Sequence, residues 1–276
     1  MNRVWFITGA GRGLGKAFAD EALAHGDKVA AAGRNTNKIK AAFGDNENVF
    51  PVELDVSNVQ QAYNAVKLAA EHFGRIDVLV NNAGYGIFGA LEEVSDEETR
   101  ALFDTCVFGL LNVTRAALPF MRAQHSGKII NVSSKAGLVG DPGDVVYNAA
   151  KFAVTGASEG LRKELIDWGI DVMCLCPAPH RTDFKDSSSR KEPKNLMSEY
   201  DGMLGHRALE FTRKGNHQQP NDPKKTAAHV YKVSCLERMP AKLIMGEELY
   251  HEYEEKIADT LKEMIEYKAM SADTKF

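Results

Sequence analysis

Val4-Trp5-Phe6-Ile7-Thr8-Gly9-Ala10-Gly11-Arg12-Gly13-Leu14-Gly15 is the stretch that decides the fold. Its apolar run, Val4 to Ile7, is short, does not alternate with polar residues and stops at a glycine cluster, which suits a strand buried on both faces. A helix is predicted from Gly13 to Ala24. Strand, glycine loop and helix in that order let backbone approach a pyrophosphate, whose charge then meets N–H groups and the positive end of the helix dipole. The glycines do not match the six-residue G-x-G-x-x-G fingerprint at any register. The reading of a dinucleotide site therefore rests on the strand before the loop and the helix after it.

Outward from this unit the pattern repeats. Val29-Ala30-Ala31-Ala32, Val49-Phe50-Pro51-Val52, Ile76-Asp77-Val78-Leu79-Val80, Lys128-Ile129-Ile130-Asn131-Val132 and Ile170-Asp171-Val172-Met173-Cys174-Leu175 read as further strands. Helices are predicted at Asn58 to Phe73, Asp96 to Arg122, Tyr147 to Trp168 and Asp222 to Leu236, with Ser57 and Ser95 as N-caps. Alternating strands and helices predict an α/β fold: a Rossmann-like, doubly wound parallel sheet with helices on both faces, in a single domain over residues 1–276. The polar stretch 183–223, broken by Pro193, Gly202, Gly205 and Gly215 and helical only near Leu204 to Phe211, is long enough for a substrate-side lid. Residues 247–270 read as a charged C-terminal helix. No repeat or interdomain linker interrupts the chain.

Composition narrows the function. The 276 residues are 44% hydrophobic and 26% charged, ordinary for a globular chain and wrong for a fibre or a disordered one. A net charge of −4 with scattered basic residues gives no field for a phosphate backbone, so nucleic acid is not an expected partner. Cys106, Cys174, Cys176 and Cys235 lack C-x-x-C spacing and the density of a secreted disulfide scaffold. They predict reduced thiols, no metal site and a cytoplasmic location, and no apolar run at the N-terminus or elsewhere predicts a leader or a membrane span.

About twenty residues past the glycine loop, where an NAD site usually places a carboxylate against the ribose 2′-hydroxyl, the chain has Gly33 and Arg34. Gly33 leaves room, Arg34 can fork onto a 2′-phosphate, and Arg12 can approach the same group, so NADP(H) is the expected cofactor.

Tyr147-Asn148-Ala149-Ala150-Lys151 sets a phenol and an ammonium four residues apart, on one helix face. A neighbouring cation favours the phenolate, which would bring the tyrosine down from about 10 into the range where it can exchange a proton with a carbonyl or alcohol. Ser134 lies thirteen residues earlier, at the end of a strand. This Ser-Tyr-x-x-x-Lys pattern, the Thr-Gly-x-x-x-Gly-x-Gly spacing of Thr8 to Gly15, Asn81-Asn82-Ala83-Gly84 and Leu54-Asp55-Val56 together resemble the short-chain dehydrogenase/reductase family. The resemblance is close from Arg3 to Phe184 and looser at Asp222 to Ala227 and Leu243 to Gly246. It implies Tyr147 as the acid/base, Lys151 as its tuner and a ribose ligand, and Ser134 as the group that orients the carbonyl. By the same resemblance Gly9, Arg12, Gly13, Leu14 and Gly15 hold phosphates, Asp55 and Val56 the adenine, Asn82 and Ala83 the adjoining ribose, and Pro177 and Thr182 the nicotinamide side. Asp171 and His180 have no role that the sequence assigns.

Two positions depart from the family pattern. Cys106 stands where the family carries an asparagine whose amide is thought to fix a water on the proton path, and a thiol is a weak donor and acceptor. Asn112, six positions on, falls on another helical face. The family's Pro-Gly appears as Pro177-Ala178, which predicts an altered turn. The leading expectation is an NADP(H)-dependent oxidoreductase that interconverts a ketone or aldehyde and an alcohol by hydride transfer. Two alternatives stay open: an NADP(H)-binding regulator with weak or no turnover, and a non-redox or epimerase-type enzyme of the same fold. Phe88, Leu138 and Val139 point to a hydrophobic small-molecule substrate. The resemblance also implies a homodimer or homotetramer assembled through the helices at 96–122 and 147–168.

Overall fold

The computed structural model describes residues 2–186, 189–215 and 217–274. In chain order it runs β1 (Val4–Thr8), α1 (Gly13–Ala24), β2 (Lys28–Gly33), α2 (Thr36–Phe43), β3 (Val49–Glu53), α3 (Val59–Phe73) and β4 (Val78–Asn81). It continues through β5 (Gly86–Ile87), α4 (Asp96–Phe103), α5 (Gly109–Gln124), β6 (Gly127–Val132), α6 (Val145–Glu164) and β7 (Ile170–Pro177). The remainder is β8 (Arg190–Lys191), α7 (Leu204–Lys214), α8 (Pro223–Ser234), β9 (Lys242–Met245) and α9 (Glu247–Ser271).

Seven strands form one parallel sheet in the order β3-β2-β1-β4-β6-β7-β9. The order reverses between β1 and β4, and in such sheets ligands bind at the carboxyl ends of the strands beside that switch. Successive residues of β1 serve opposite faces, as a two-residue period requires. Phe6 joins Leu79, Ile129 and Val172 under α3 and α5, while Trp5 and Ile7 join Val29, Val80 and Met173 under α1 and α8. All five β1 residues are buried, which explains the run without alternation.

Several expectations are corrected. The single helix expected over Asp96 to Arg122 is split by a π-turn at Asp104–Phe108. There the Thr105 hydroxyl donates to the Ala101 carbonyl at 3.2 Å, a side-chain competitor of the kind that disturbs helical ladders. Continuous from Asp96 to Gln124, this stretch is long and apolar enough to cross a membrane by length and composition, but more than half of its apolar window is buried inside the fold. Asn58, not Ser57, caps α3: its side chain accepts from Gln61 N, while the Ser57 hydroxyl is committed to Asp55 at 2.6 Å. The sequence pattern also missed α2, which buries only Ile39, and the edge strand β9. Within 183–223, β8 pairs in parallel with β5, and the one expected helix is α7.

Candidate active site

The glycine loop leaves β1 at the switch point. Gly9 has φ of 67° and Gly13 of 56°, in the left-handed region that disfavours side chains. At Gly15 the constraint is contact, since a Cβ there would lie 2.4 Å from Gly9 O and 2.5 Å from Asn82 Nδ2. The first turn of α1 has no side-chain cap and no acidic residue. Orphan N–H groups and the positive dipole end thus remain for a phosphate, which fits a dinucleotide.

Thr8 ties this loop to the next motif. Its hydroxyl accepts from Asn82 N and Ala83 N, both at 2.9 Å, and Asn82 Nδ2 donates to Thr8 O at 2.9 Å. Motif spacing alone assigns Thr8 no contact; in the structure it is the hinge between the two loops. Beneath it Asn81 donates to Asn131 and Thr114, and Asn131 donates to Ser158, a buried polar chain from β4 through β6 to α6. Asp55 accepts from Ser57, and Val56 lies buried with its carbonyl held by Asn112 Nδ2 at 3.2 Å. Asn112 therefore secures the expected adenine segment and does not replace the missing asparagine. Thr182 lies against the glycine loop, 3.6 Å from where a Cβ on Gly13 would stand.

Ser134, Tyr147 and Lys151 come together as expected. The Ser134 hydroxyl faces the Tyr147 phenol and favours its ionised form, while its oxygen accepts from Ala136 N at 3.2 Å. The Lys151 Nζ lies 5.7 Å from the Tyr147 ring centre and donates to the Val132 carbonyl at 2.9 Å. Phe88 and Phe184 flank the phenol, with ring centres 5.8 and 6.1 Å away. The expected lowering of the tyrosine is not found. Burial pushes Tyr147 above its ordinary value and outweighs the opposing effect of the Ser134 hydroxyl, while burial also pulls Lys151 below its own. The lysine charge is spent on a backbone carbonyl rather than directed at the phenol.

Cys106 sits beside this group. A Cβ on Gly84 would lie 3.3 Å from its Sγ and 3.8 Å from Lys151 Nζ, and the thiol donates to the Tyr85 carbonyl at 3.5 Å. The other departure is absorbed. Ala178 N donates to Met245 O at 2.8 Å, and the Ala178 methyl occupies space left by Gly246, where a Cβ would approach it to 2.6 Å. Ala178 is not among the positive-φ residues, so the turn needs no glycine.

Arg12 is turned toward the 183–223 segment, its Nη2 2.5 Å from the Ser189 hydroxyl. Arg34 is exposed at the end of β2. Leu138 and Val139 are not at the site: they pack with Cys174, Cys176 and Leu249 beneath β7. Of the two residues without an assigned role, His180 braces a turn through Thr226 and the Ala178 carbonyl, and Asp171 holds Arg162 at 2.7 Å. A cavity of about 550 Å³ opens between Tyr85, Ile87, Glu98, Arg190 and Lys191, outside the Ser-Tyr-Lys group.

An uncapped glycine-rich helix start at the switch point of a parallel sheet, beside half-buried Ser134 and buried Tyr147 and Lys151, defines an α/β oxidoreductase of the dinucleotide-binding type. The chain belongs to the short-chain dehydrogenase/reductase family, whose signature, described as short chain dehydrogenase, matches residues 3–193. It is 40% identical over 265 residues to Oxidoreductase BOA17 of Botryotinia fuckeliana, covering 95% of this chain and 94% of that one. A short-chain dehydrogenase structure from Streptomyces avermitilis is 32% identical with a TM-score of 0.90, covering 100% of both chains. A family member from Burkholderia phymatum, solved in complex with NAD, is 26% identical with a TM-score of 0.83 over 95% of each chain.

Proposed function

We propose that this chain is an NADP(H)-dependent oxidoreductase that interconverts a ketone or aldehyde and an alcohol. The observation that carries the reading is the buried Tyr147 phenol beside the Ser134 hydroxyl, with buried Lys151 Nζ 5.7 Å from its ring centre and Phe88 and Phe184 as walls. When bound, the nicotinamide supplies or takes the hydride. Gly9, Gly13, Leu14, Gly15 and the start of α1 hold the pyrophosphate. Asp55 and Val56 border the adenine, Asn82 and Ala83 its ribose, Lys151 the second ribose, and Pro177 and Thr182 the carboxamide. Exposed Arg34 is the better placed partner for a 2′-phosphate, because Arg12 is engaged with Ser189.

In reduction Tyr147 gives its phenolic proton to the carbonyl oxygen, which Ser134 orients by a hydrogen bond. A phenol held above its ordinary value is protonated throughout the neutral range, the form that donation requires. Oxidation needs the phenolate and so gains as pH rises. Residues 183–223 act as the lid, and the aromatic wall suits a hydrophobic carbonyl compound. Assembly as a homodimer or homotetramer uses the exposed faces of α5, the π-turn before it and α6, where Phe108 and Phe152 stand out. Four free thiols, three of them buried, support a reducing cytoplasmic location.

The test is NADPH consumption against a panel of carbonyl compounds from small aldehydes to bulky apolar ketones. Turnover on at least one apolar ketone supports the reading, and none on any, with cofactor binding intact, rejects it. One observation favours a second reading, a cofactor-binding regulator: a thiol, not an amide, lies beside Lys151. Tight NADPH binding without turnover would select it.

A further inference from the structure

α9 begins as part of the fold and ends outside it. Leu249 is fully buried, Glu252 pairs with Lys135 at 2.6 Å, and Lys256 donates to the Leu138 carbonyl at 2.5 Å. Every residue from Ile257 to Thr274 is exposed. A lone helical stretch of about 15 residues is marginal in water, since most helical stability in proteins comes from packing an apolar face. This stretch carries such a face, and among the described residues its side chains stay exposed. At about 100° per residue, Tyr250, Ile257, Leu261, Met264 and Ile265 share one side, and the docked Leu249, Glu252 and Lys256 lie on the other. All five are large apolar side chains at least 48% exposed.

We propose that this face pairs with α9 of a second copy of the chain, antiparallel, about a two-fold axis at Leu261. The register follows from the sequence. An axis at Leu261 sets residue i against residue 522 − i, so Leu261 meets Leu261, and Ile257 meets Ile265. The charges on the same face are then complementary, because Glu254 falls opposite Lys268 and no like-charged pair occurs on it. The two-fold operation repeats each contact off the axis, such as Ile257 with Ile265, and makes the Leu261 contact once, as an isologous interface requires. A membrane surface fits less well: α9 holds eight carboxylates against three lysines, which opposes an anionic bilayer. The exposed stretch of α9 leaves the fold beside α6, where Lys256 Nζ lies 4.6 Å above the Phe152 ring.

Site-specific crosslinking of the full chain tests this whatever other interfaces exist. Cys235 is the exposed native thiol among the described residues, so Cys235→Ser provides the background. On it, Leu261→Cys should give a covalent dimer within minutes with a short bis-maleimide, and Met270→Cys, half a turn round the helix, should react at least tenfold less. Single Lys268→Glu, added to Leu261→Cys, should weaken dimer formation about tenfold, the scale of two exposed ion pairs turned repulsive. The swapped pair Glu254→Lys with Lys268→Glu should restore it, which a merely unfolded helix would not do. Equal crosslinking at positions 261 and 270, or none at 261 in a chain whose α9 is helical by circular dichroism, overturns self-pairing and leaves the face to another partner. Failure of the swap to rescue overturns the register.

Discussion

Gly15→Ala tests the glycine loop with a single methyl. The added Cβ would stand 2.4 Å from the Gly9 carbonyl oxygen and 2.5 Å from Asn82 Nδ2. Neither neighbour can yield freely: Gly9 is backbone, and Asn82 is tied to Thr8 O at 2.9 Å. Overpacking of this kind costs about 1–3 kcal/mol. Since the displaced loop is the proposed phosphate cradle, that cost should fall largely on the cofactor complex and weaken NADPH binding by about 5- to 150-fold. Gly160→Ala is the control, an exposed site in α6 where a Cβ meets nothing within 4 Å. There the substitution should leave affinity unchanged and stabilise the fold by about 0.5–1 kcal/mol. Calorimetric titration with NADPH and a thermal melt of each variant supply the numbers. A Gly15→Ala protein that melts normally and binds NADPH within twofold of the parent would refute the reasoning.

Arg34→Asp should weaken NADPH binding at least tenfold more than NADH binding, because it sets a carboxylate against the extra phosphate; equal losses by titration would assign NADP(H) preference elsewhere. Cys106→Asn should raise turnover if an amide beside Lys151 completes the proton path, by as much as about 10²-fold on one accepted substrate; an unchanged, robust rate would show that the thiol suffices. The 183–223 segment is clasped by buried Glu93, which accepts from Met197 N at 2.8 Å and pairs with His206 Nε2 at 2.7 Å. Hydrogen bonding to Glu93 raises His206 above its ordinary value, so its contribution is full below about 6.5 and is lost as pH climbs through the raised value. Burial pushes Glu93 up, but its hydrogen bonds from Met197, His206 and Ala90 hold it below the usual carboxylate value, and its contribution is lost only as pH falls through that lowered value. Tryptic cleavage at Arg190, Lys191 and Lys194 should therefore accelerate as pH rises past the raised histidine value, and Glu93→Gln should remove that rise; a flat profile in the parent would contradict it.

The sheet and its glycine loop were legible because strand burial leaves a pattern in the sequence: the unbroken Val4 to Ile7 run and the glycines after it read as a strand buried on both faces and the turn that ends it. Ser134, Tyr147 and Lys151 were legible as spacing, and the helix start at Gly13 fell where it was expected. What escaped depends on through-space contact. The π-turn arises from a Thr105 hydroxyl competing for Ala101, the Asn58 cap from Ser57 being claimed by Asp55, and the tolerance of Ala178 from Gly246 some seventy residues away. The lowering expected for Tyr147 fails for the same reason. Spacing puts the lysine on the right helix face, but only the structure shows its ammonium bound to Val132 and the phenol sealed among Phe88 and Phe184.

Turnover and cofactor affinity measured together for Tyr147→Phe test the central claim most directly. The substitution removes the transferable proton and keeps the ring against Phe88 and Phe184, so the account predicts loss of NADPH oxidation by at least about 10²-fold with NADPH affinity within a few-fold of the parent. A variant that keeps most of the parental turnover number on the same carbonyl substrate would contradict it, and Tyr147 would not be the acid.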